Sequence, residues 1–590
     1  MSLDIARSIA FSGLSATSVQ ISVTSSNISN ADTTGYTEKT ANQSSSVTNG
    51  VGTGVTVTGI TSTVDKLLLK SLISATSDLG SADTTNTYLT SLEKLYGSTS
   101  STDSSSTGTS LANSIASLES ALSSLASTPS SASLQSNVVS ALDDVASQLR
   151  ETSSSIQKLR SNADQDISSS IGDVNTDLQQ ISDLNAQIKQ TAAVGQSTSD
   201  LEDQRNTALQ DLASKMNVSY FTASNGDLQI YTKSGQALVD SSAHTISYTA
   251  AANVTAATTY TAGSSSSGFS AITVNGVDIT SQITGGDIGS LITLRDTTLP
   301  AAQSQLDQLA QQLASAMNSV SNSASAVPAP TSLTGTTSVT SSTALSATGT
   351  VRLAVTDQSG SLVSYSDLDL SSYSTVGDLV TAINGISGLS ASVDADGHLA
   401  ITATGSGNGV AINEMTSSVG SSAEGFSEYF GLNDLVTGTT AADIAVNSKI
   451  LSGTNELQLG TLDSSSSLTV GSTVLSSGSA TVVNAFYDAL TSSRTFATTG
   501  GIAATTGSLA DYASAIVADV ASKASQASSN YTAKETTQST YASSLSSQSG
   551  VNLDEESAKL STLQNKYTAA SALIQAINTM YSALLSAVQS

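Results

Sequence analysis

Few side chains in this sequence could carry chemistry. The 590 residues include two histidines, His244 and His398, and no cysteine. A three-histidine zinc site and any thiolate chemistry are therefore excluded, and no H-E-x-x-H pair is present. There is neither a G-x-S-x-G nucleophile elbow nor a G-K-[ST] phosphate loop. Asp394, Asp396 and His398 surround Gly397. A calcium loop counted from Asp394 needs glycine at its sixth position and a carboxylate at its twelfth, where Leu399 and Gly405 stand, so the run reads as a hairpin turn. Gly50, Gly52 and Gly54, and Gly405, Gly407 and Gly409, lack the spacing of a dinucleotide site and read as bends. Asp554, Glu555 and Glu556 open a helical pattern that Asn552 is placed to cap; carboxylates there stabilise a helix start by about 0.3–1 kcal/mol each. No catalytic, cofactor-binding or metal-binding set emerges, and the chain reads as a non-enzyme.

The elements that carry these residues suggest assembly instead. Leu553, Leu560, Tyr567, Ile574, Tyr581 and Val588 recur every seven residues, and Leu563, Ala570, Ile577 and Leu584 form a second row. Alternating steps of three and four place both rows on one helical stripe, the coiled-coil pattern. Near the amino terminus Ile5, Ile9, Ser12, Ala16, Val19 and Val23 keep the same rhythm, up to the turn-forming run 30–36. The expected assembly surface comprises Ile5, Ile9, Ala16, Val19 and Val23 with Leu553, Leu560, Leu563, Tyr567, Ile574, Ile577, Tyr581, Leu584 and Val588. Tyrosines in such a seam need partners for their hydroxyls, which suggests a wet edge.

Composition narrows the partners. Twenty Lys plus Arg stand against 47 Asp plus Glu, a formal charge of −27, which repels nucleic acid and anionic membrane surfaces. Apolar content of 38% allows cores to form, with 4% aromatic residues and no tryptophan. Residues 3–31 are amphipathic throughout and read neither as a cleaved signal nor as a membrane span. The expectation is a cytoplasmic protein or one exported without signal removal.

Along the chain, Val51, Val55, Val57 and Ile60 read as a short extended segment among glycines. Helical patterning follows from near Val64, and 98–108 is a Ser/Thr loop. Leu111–Leu125 and a rod of about 55 residues from Leu134 to Ile188 are strongly periodic. Leu201–Met216 predicts another helix, and Asn225-Gly226 and Asn275-Gly276 predict β-hairpins. Residues 288–320 are helical, with Pro300 in the first turns or at a kink, and 321–350 reads as a linker. Residues 351–414 form an α/β insert turning at Asp396-Gly397. Short strands follow to about 480, and helix returns from Thr481 to the end.

Ser26-Asn27-Ile28-Ser29-Asn30-Ala31-Asp32-Thr33-Thr34-Gly35-Tyr36-Thr37 resembles the amino-terminal signature of the rod, hook and hook-associated proteins of the bacterial flagellum, with Thr34 where that signature usually has proline. Four further segments resemble the family's hook-associated members: Leu201–Arg205, Gly285–Leu291 with Arg295-Asp296, Phe426–Asp434, and Ser549–Glu556. The resemblance implies an axial structural protein joining hook to filament in the extracellular flagellum. Its implied partners are copies of itself, the hook protein, a second junction protein and a cytoplasmic export chaperone, with export through the flagellar type III apparatus.

The fold expected is mainly α with β-rich outer domains (α+β). It has paired terminal coiled-coil-like helices, a long helical rod and an inserted outer α/β domain. The expected division is 1–60 with 545–590 as a terminal helical assembly domain, 61–325 with 440–544 as the rod, and 326–439 as the outer insert with its linker. Alternatives are another flagellar axial protein, such as the hook protein or second junction protein, or a secreted Ser/Thr-rich adhesin.

Overall fold

The computed structural model describes residues 3–48, 50–97, 110–264, 266–476 and 478–589. The Ser/Thr stretch read as a loop at 98–108 lies outside them. Helices dominate: α1 (Leu3–Ser29), α2 (Lys66–Leu95), α3 (Leu111–Ser127), α4 (Ala132–Ala193), α5 (Ser199–Lys215), α6 (Gly286–Thr293) and α7 (Leu299–Asn322) come first. Then follow α8 (Val376–Asn384), α9 (Phe426–Phe430), α10 (Ser448–Leu451), α11 (Ala480–Thr491), α12 (Leu509–Ser549) and α13 (Leu553–Gln589). The mainly helical α+β class is as expected, and the rod is a single helix of 62 residues.

The chain divides into two compact units. One comprises Met1–Tyr88, Ser161–Asp296 and Ser525–Ser590; the other comprises Leu89–Arg160 and Thr297–Ala524.

In the first unit α1 packs along α13, and a long antiparallel hairpin, β1 (Lys39–Thr48) and β2 (Val51–Ser62), packs on α1. The sequence showed only the second half of this hairpin, because the Thr and Ser of β1 give no apolar alternation to read. The Asn225-Gly226 turn joins Ser219–Thr222 to Leu228–Tyr231, and Asn275-Gly276 joins Thr273–Val274 to Val277–Asp278. Asn275 and Gly276 both have positive φ (51° and 78°), as a two-residue hairpin turn demands. The helix read across 288–320 is two helices separated by a π-helical turn at Leu294–Thr298, with Pro300 in the first turn of α7. That turn swings Arg295 fully inside, where it donates to Asp164 (2.8 Å) and Asp296 (2.8 Å) beneath the Phe269 ring.

In the second unit, apolar side chains of α3 and α4 (Leu118, Leu122, Val138, Leu142) meet Met317 of α7 and Phe486 of α11. The periodic apolar residues of that region thus form an internal core. A hairpin of Arg494–Phe496 with Thr505–Gly507 interrupts the helical carboxy-terminal region. Two three-stranded antiparallel sheets build the insert. Thr350–Thr356 lies between Leu362–Asp369 and Gly409–Asn413, and His398–Ala403 lies between Leu389–Val393 and Ser332–Ser338.

The last strand corrects the linker expected at 321–350. Ser332–Ser338 pairs with His398–Ala403. Leu333, Val339 and Leu345 share one core with Val351, Leu353 and Val355 of the neighbouring sheet and with Phe426 and Phe430. Small residues give a linker-like composition, but here they let strands approach closely: a side chain on Gly335 would lie 2.3 Å from the Phe430 carbonyl oxygen.

Deleting 351–414 would therefore strip Ser332–Ser338 of its partner strand and open this core. The shortened chain is expected to bind a hydrophobic dye and to be cut rapidly by protease within 321–350. Protease resistance equal to that of the full chain would show that the insert is an independent module.

Candidate assembly interface

The terminal pair is antiparallel. Near the start of α1 the Tyr581 hydroxyl donates to Asp4, and Arg7 lies 5.6 Å from the Tyr581 ring centroid. At the far end Asn27 of α1 donates to Glu556 of α13 at 2.9 Å. A helix of 37 residues is about 55 Å long, whereas α1 has 27 residues. Residues 582–589 of α13 thus run past Asp4.

The predicted interface residues fall into three groups. Ala16, Val23, Leu563 and Ile577 are buried; Ile5, Ile9, Val19, Leu560, Ile574 and Tyr581 are half-buried. Leu553, Tyr567, Leu584 and Val588 are exposed, Val588 at 80%. The structure therefore does not bring both heptad rows onto one covered stripe. A straight helix drifts about 20° per heptad from a seven-residue repeat, so a single short partner cannot cover both rows. Leu573, Met580 and Leu585, which the heptads did not single out, are also more than half exposed. Tyr581 has the hydroxyl partner that the seam was expected to require.

Charge is scarce here. Across α1 and α13 four carboxylates (Asp4, Asp554, Glu555, Glu556) face three cations (Arg7, Lys559, Lys566), and 567–589 carries no charged side chain.

What holds the two ends is a buried polar junction. The Asn27 side chain donates to the Lys39 carbonyl (2.9 Å) and accepts from the Lys39 amide (3.0 Å) and the Tyr36 hydroxyl (3.0 Å), besides donating to Glu556. The Lys39 ammonium contacts Asp203 and donates to the Thr37 carbonyl (2.9 Å) and hydroxyl (3.1 Å). The Thr37 amide and hydroxyl in turn donate to Asp203 at 2.9 and 2.8 Å. Burial pushes the Asp203 carboxyl above its ordinary range, opposed by the bonds from Lys39 and Thr37. The Glu38 amide donates to the Ser549 carbonyl at 2.7 Å.

The acidic cluster is split by this arrangement. Asn552 caps α13 as expected, accepting from the Asp554 and Glu555 amides at 3.1 and 3.3 Å. Glu556 is not a surface carboxylate on the helix dipole: it is 2% exposed and receives Asn27 and Lys559 (2.8 Å). Lys559 also donates to Glu38 at 3.2 Å. Burial lowers the Lys559 pKa, but the bonds to Glu556 and Glu38 outweigh it and leave the ammonium held above its usual range.

Sequence reasoning did not find Lys39 or the roles of Asn27 and Asp203. The signal lay in the segments that carried the resemblance, but polar residues 166 positions apart announce no contact. Asp394 accepts from the Asp396 and His398 amides at 3.0 and 2.8 Å, which makes it the hairpin turn expected. Among the described residues no group of three His, Cys, Asp or Glu could hold a metal.

Four family models match the chain. One described as the flagellar hook-associated protein FlgK helical domain covers residues 97–327, and one described as the flagella basal body rod protein covers 8–37. The flagellin hook IN motif covers 350–405, and the flagellar basal body rod FlgEFG protein C-terminal model covers 542–587. No curated protein matches. Among solved structures, the flagellar hook junction protein FlgK from Burkholderia pseudomallei aligns with a TM-score of 0.48 at 16% identity, over 80% of this chain and 98% of that one.

Asn27→Ala should cost about 2–4 kcal/mol, because several buried partners lose their bonds at once. Chemical denaturation measures this against Asn30→Ala, whose side chain bonds at an exposed site and whose loss should stay within about 0.5 kcal/mol. Equal losses would mean that the junction does not hold the ends. A second expectation concerns alkali. Because the folded pKa of Lys559 is raised above 10.5, its stabilisation is complete below that pH and fades as pH rises through the folded value. Lys559→Met should remove this step from an alkaline unfolding curve.

Proposed function

We propose that the chain is an assembly adapter of the bacterial flagellum, built into the axial structure through its terminal helices while its middle is displayed. It is a FlgK-like hook-associated protein, a structural component of the hook–filament junction. The observation that carries the mechanism is the face of α13 that α1 leaves open. Leu573, Met580, Leu584, Leu585 and Val588 are all at least half exposed on a segment without charge. In water such a stripe is stabilised by a partner, and copies of a chain with charge −27 approach most easily where charge is lowest.

The partners in this reading are neighbouring copies, the hook protein and a second junction protein, with a cytoplasmic chaperone covering the terminal stripe before export by the flagellar type III route. The place of work is the extracellular flagellum, and the role is structural rather than enzymatic. The three-part division (1–60 with 545–590, 61–325 with 440–544, 326–439) serves as the functional layout: assembly, rod and outer surface. No observation favours the adhesin alternative. A membrane reading has one observation behind it: among the described residues, the helical stretch Leu509–Gln589 contains a window long and apolar enough to cross a membrane. The same residues form the open stripe, so the assembly reading accounts for them.

Leu584→Asp places a carboxylate on the open stripe without touching the buried row. The lost apolar burial is about 1.5–3 kcal/mol per copy, and an unpaired charge adds to it. Filament attachment should fail while circular dichroism of the monomer stays unchanged, and Thr579→Asp, also exposed, should be tolerated. Ile577→Asp should instead disturb the monomer, since Ile577 is buried between the chain's own helices. Normal attachment in Leu584→Asp together with binding of the wild type to neutral phospholipid vesicles would favour the membrane reading.

A further inference from the structure

Beside the polar junction, a cavity of about 300 Å³ opens between α1, β1 and α13. Gln20 and Thr24 border it from α1, Thr40 from β1, and Lys559, Thr562 and Lys566 from α13. It concentrates cations in a strongly acidic chain, and their donors can be assigned one by one. The three N–H groups of Lys39, which also lines it, are taken by Thr37 twice and by Asp203. Lys559 gives two, to Glu556 and Glu38, and keeps one. Lys566 makes no ion pair among the described residues and brings three. The carboxylates that balance Lys39 and Lys559 are not among the residues lining the cavity.

We propose that this cavity is the seat for a carboxylate of a second copy of the chain, held by Lys566 and the remaining N–H of Lys559. The inference rests on the assembly reading above. The occupant follows from charge complementarity. Asp554 and Glu555 are exposed at the start of α13 and make no ion pair among the described residues, so each copy offers one unpaired acidic knob and one cationic socket. When each copy gives its knob to the socket of the next, the contact is head-to-tail and repeats along an array. It would also supply what an uncharged apolar stripe lacks, a fixed register between copies.

The test mixes isotopically heavy and light full-length chains at a concentration where they self-associate, then applies a zero-length carbodiimide cross-linker. Mixed-isotope links from Lys566 or Lys559 to Asp554 or Glu555 are expected. Lys566→Glu should slow self-association at low salt about ten-fold, the weight of one partly desolvated ion pair, and a reversed knob (Asp554→Lys with Glu555→Lys) should restore it. Lys566 lies on an exposed position, and unchanged circular dichroism will confirm that the fold is kept. Wild-type association without these links, with Lys566→Glu associating normally, would overturn the seat and leave the assembly reading standing. Links from Lys566 to other carboxylates of the second copy would overturn the choice of knob. Absence of any association by the wild type would overturn both.

Discussion

The structure depends on Glu556 being inside. A carboxylate that is 2% exposed is tolerable only if donors reach it, and those donors are Asn27 and Lys559. Asn27 stands 529 residues earlier in the chain, so satisfying one buried charge joins the two ends. The same asparagine pairs with both backbone groups of Lys39, and Lys39 reaches Asp203. Register follows from this. With Asn27 against Glu556, Tyr581 meets Asp4, and α13 continues eight residues beyond that contact to Gln589.

Charge is distributed to the same end. The chain carries −27, but the terminal pair has only one more carboxylate than cations. The exposed leucines of α13 lie in its uncharged segment 567–589. In the proposed assembly, low charge and exposed apolar area coincide on one face of α13, so both effects would favour the same contact.

The segments that carry the resemblance turn out to be fasteners. Asp203 anchors Thr37 and Lys39, while Arg205 donates to Asn185 and to the Gly226 carbonyl, both at 2.9 Å, securing a hairpin. Gly286 has φ of +69°, and a side chain there would lie 2.5 Å from the Lys215 carbonyl carbon. In Phe426–Asp434 the two phenylalanines fill the insert core, and Asn433 and Asp434 bond Asn322 at 2.9 and 2.7 Å. Glu414 accepts from the first amides of α9, and burial raises its pKa. Such polar residues resemble site residues in a sequence, yet their hydrogen bonds are used internally.

The sequence by itself determined the elements whose signal is local. Periodicity gave the rod from Leu134 to Ile188, within the helix Ala132–Ala193, Asn-Gly pairs gave the hairpins, and Asn552 marked the start of α13, because helices, turns and caps depend on residues a few positions apart. It also excluded a three-histidine metal site and thiolate chemistry by residue type, and several of its segments pointed to the flagellar family. Tertiary structure decided which heptad row is covered, since that depends on the length and direction of α1. It decided that 321–350 is a strand-bearing part of a core rather than a linker, because pairing with His398–Ala403 leaves no trace in Ser and Thr composition. It decided above all that Glu556 is buried while Asp554 and Glu555 stay outside. Three adjacent carboxylates look alike in sequence, and only the arrival of Asn27 from the other end of the chain tells them apart.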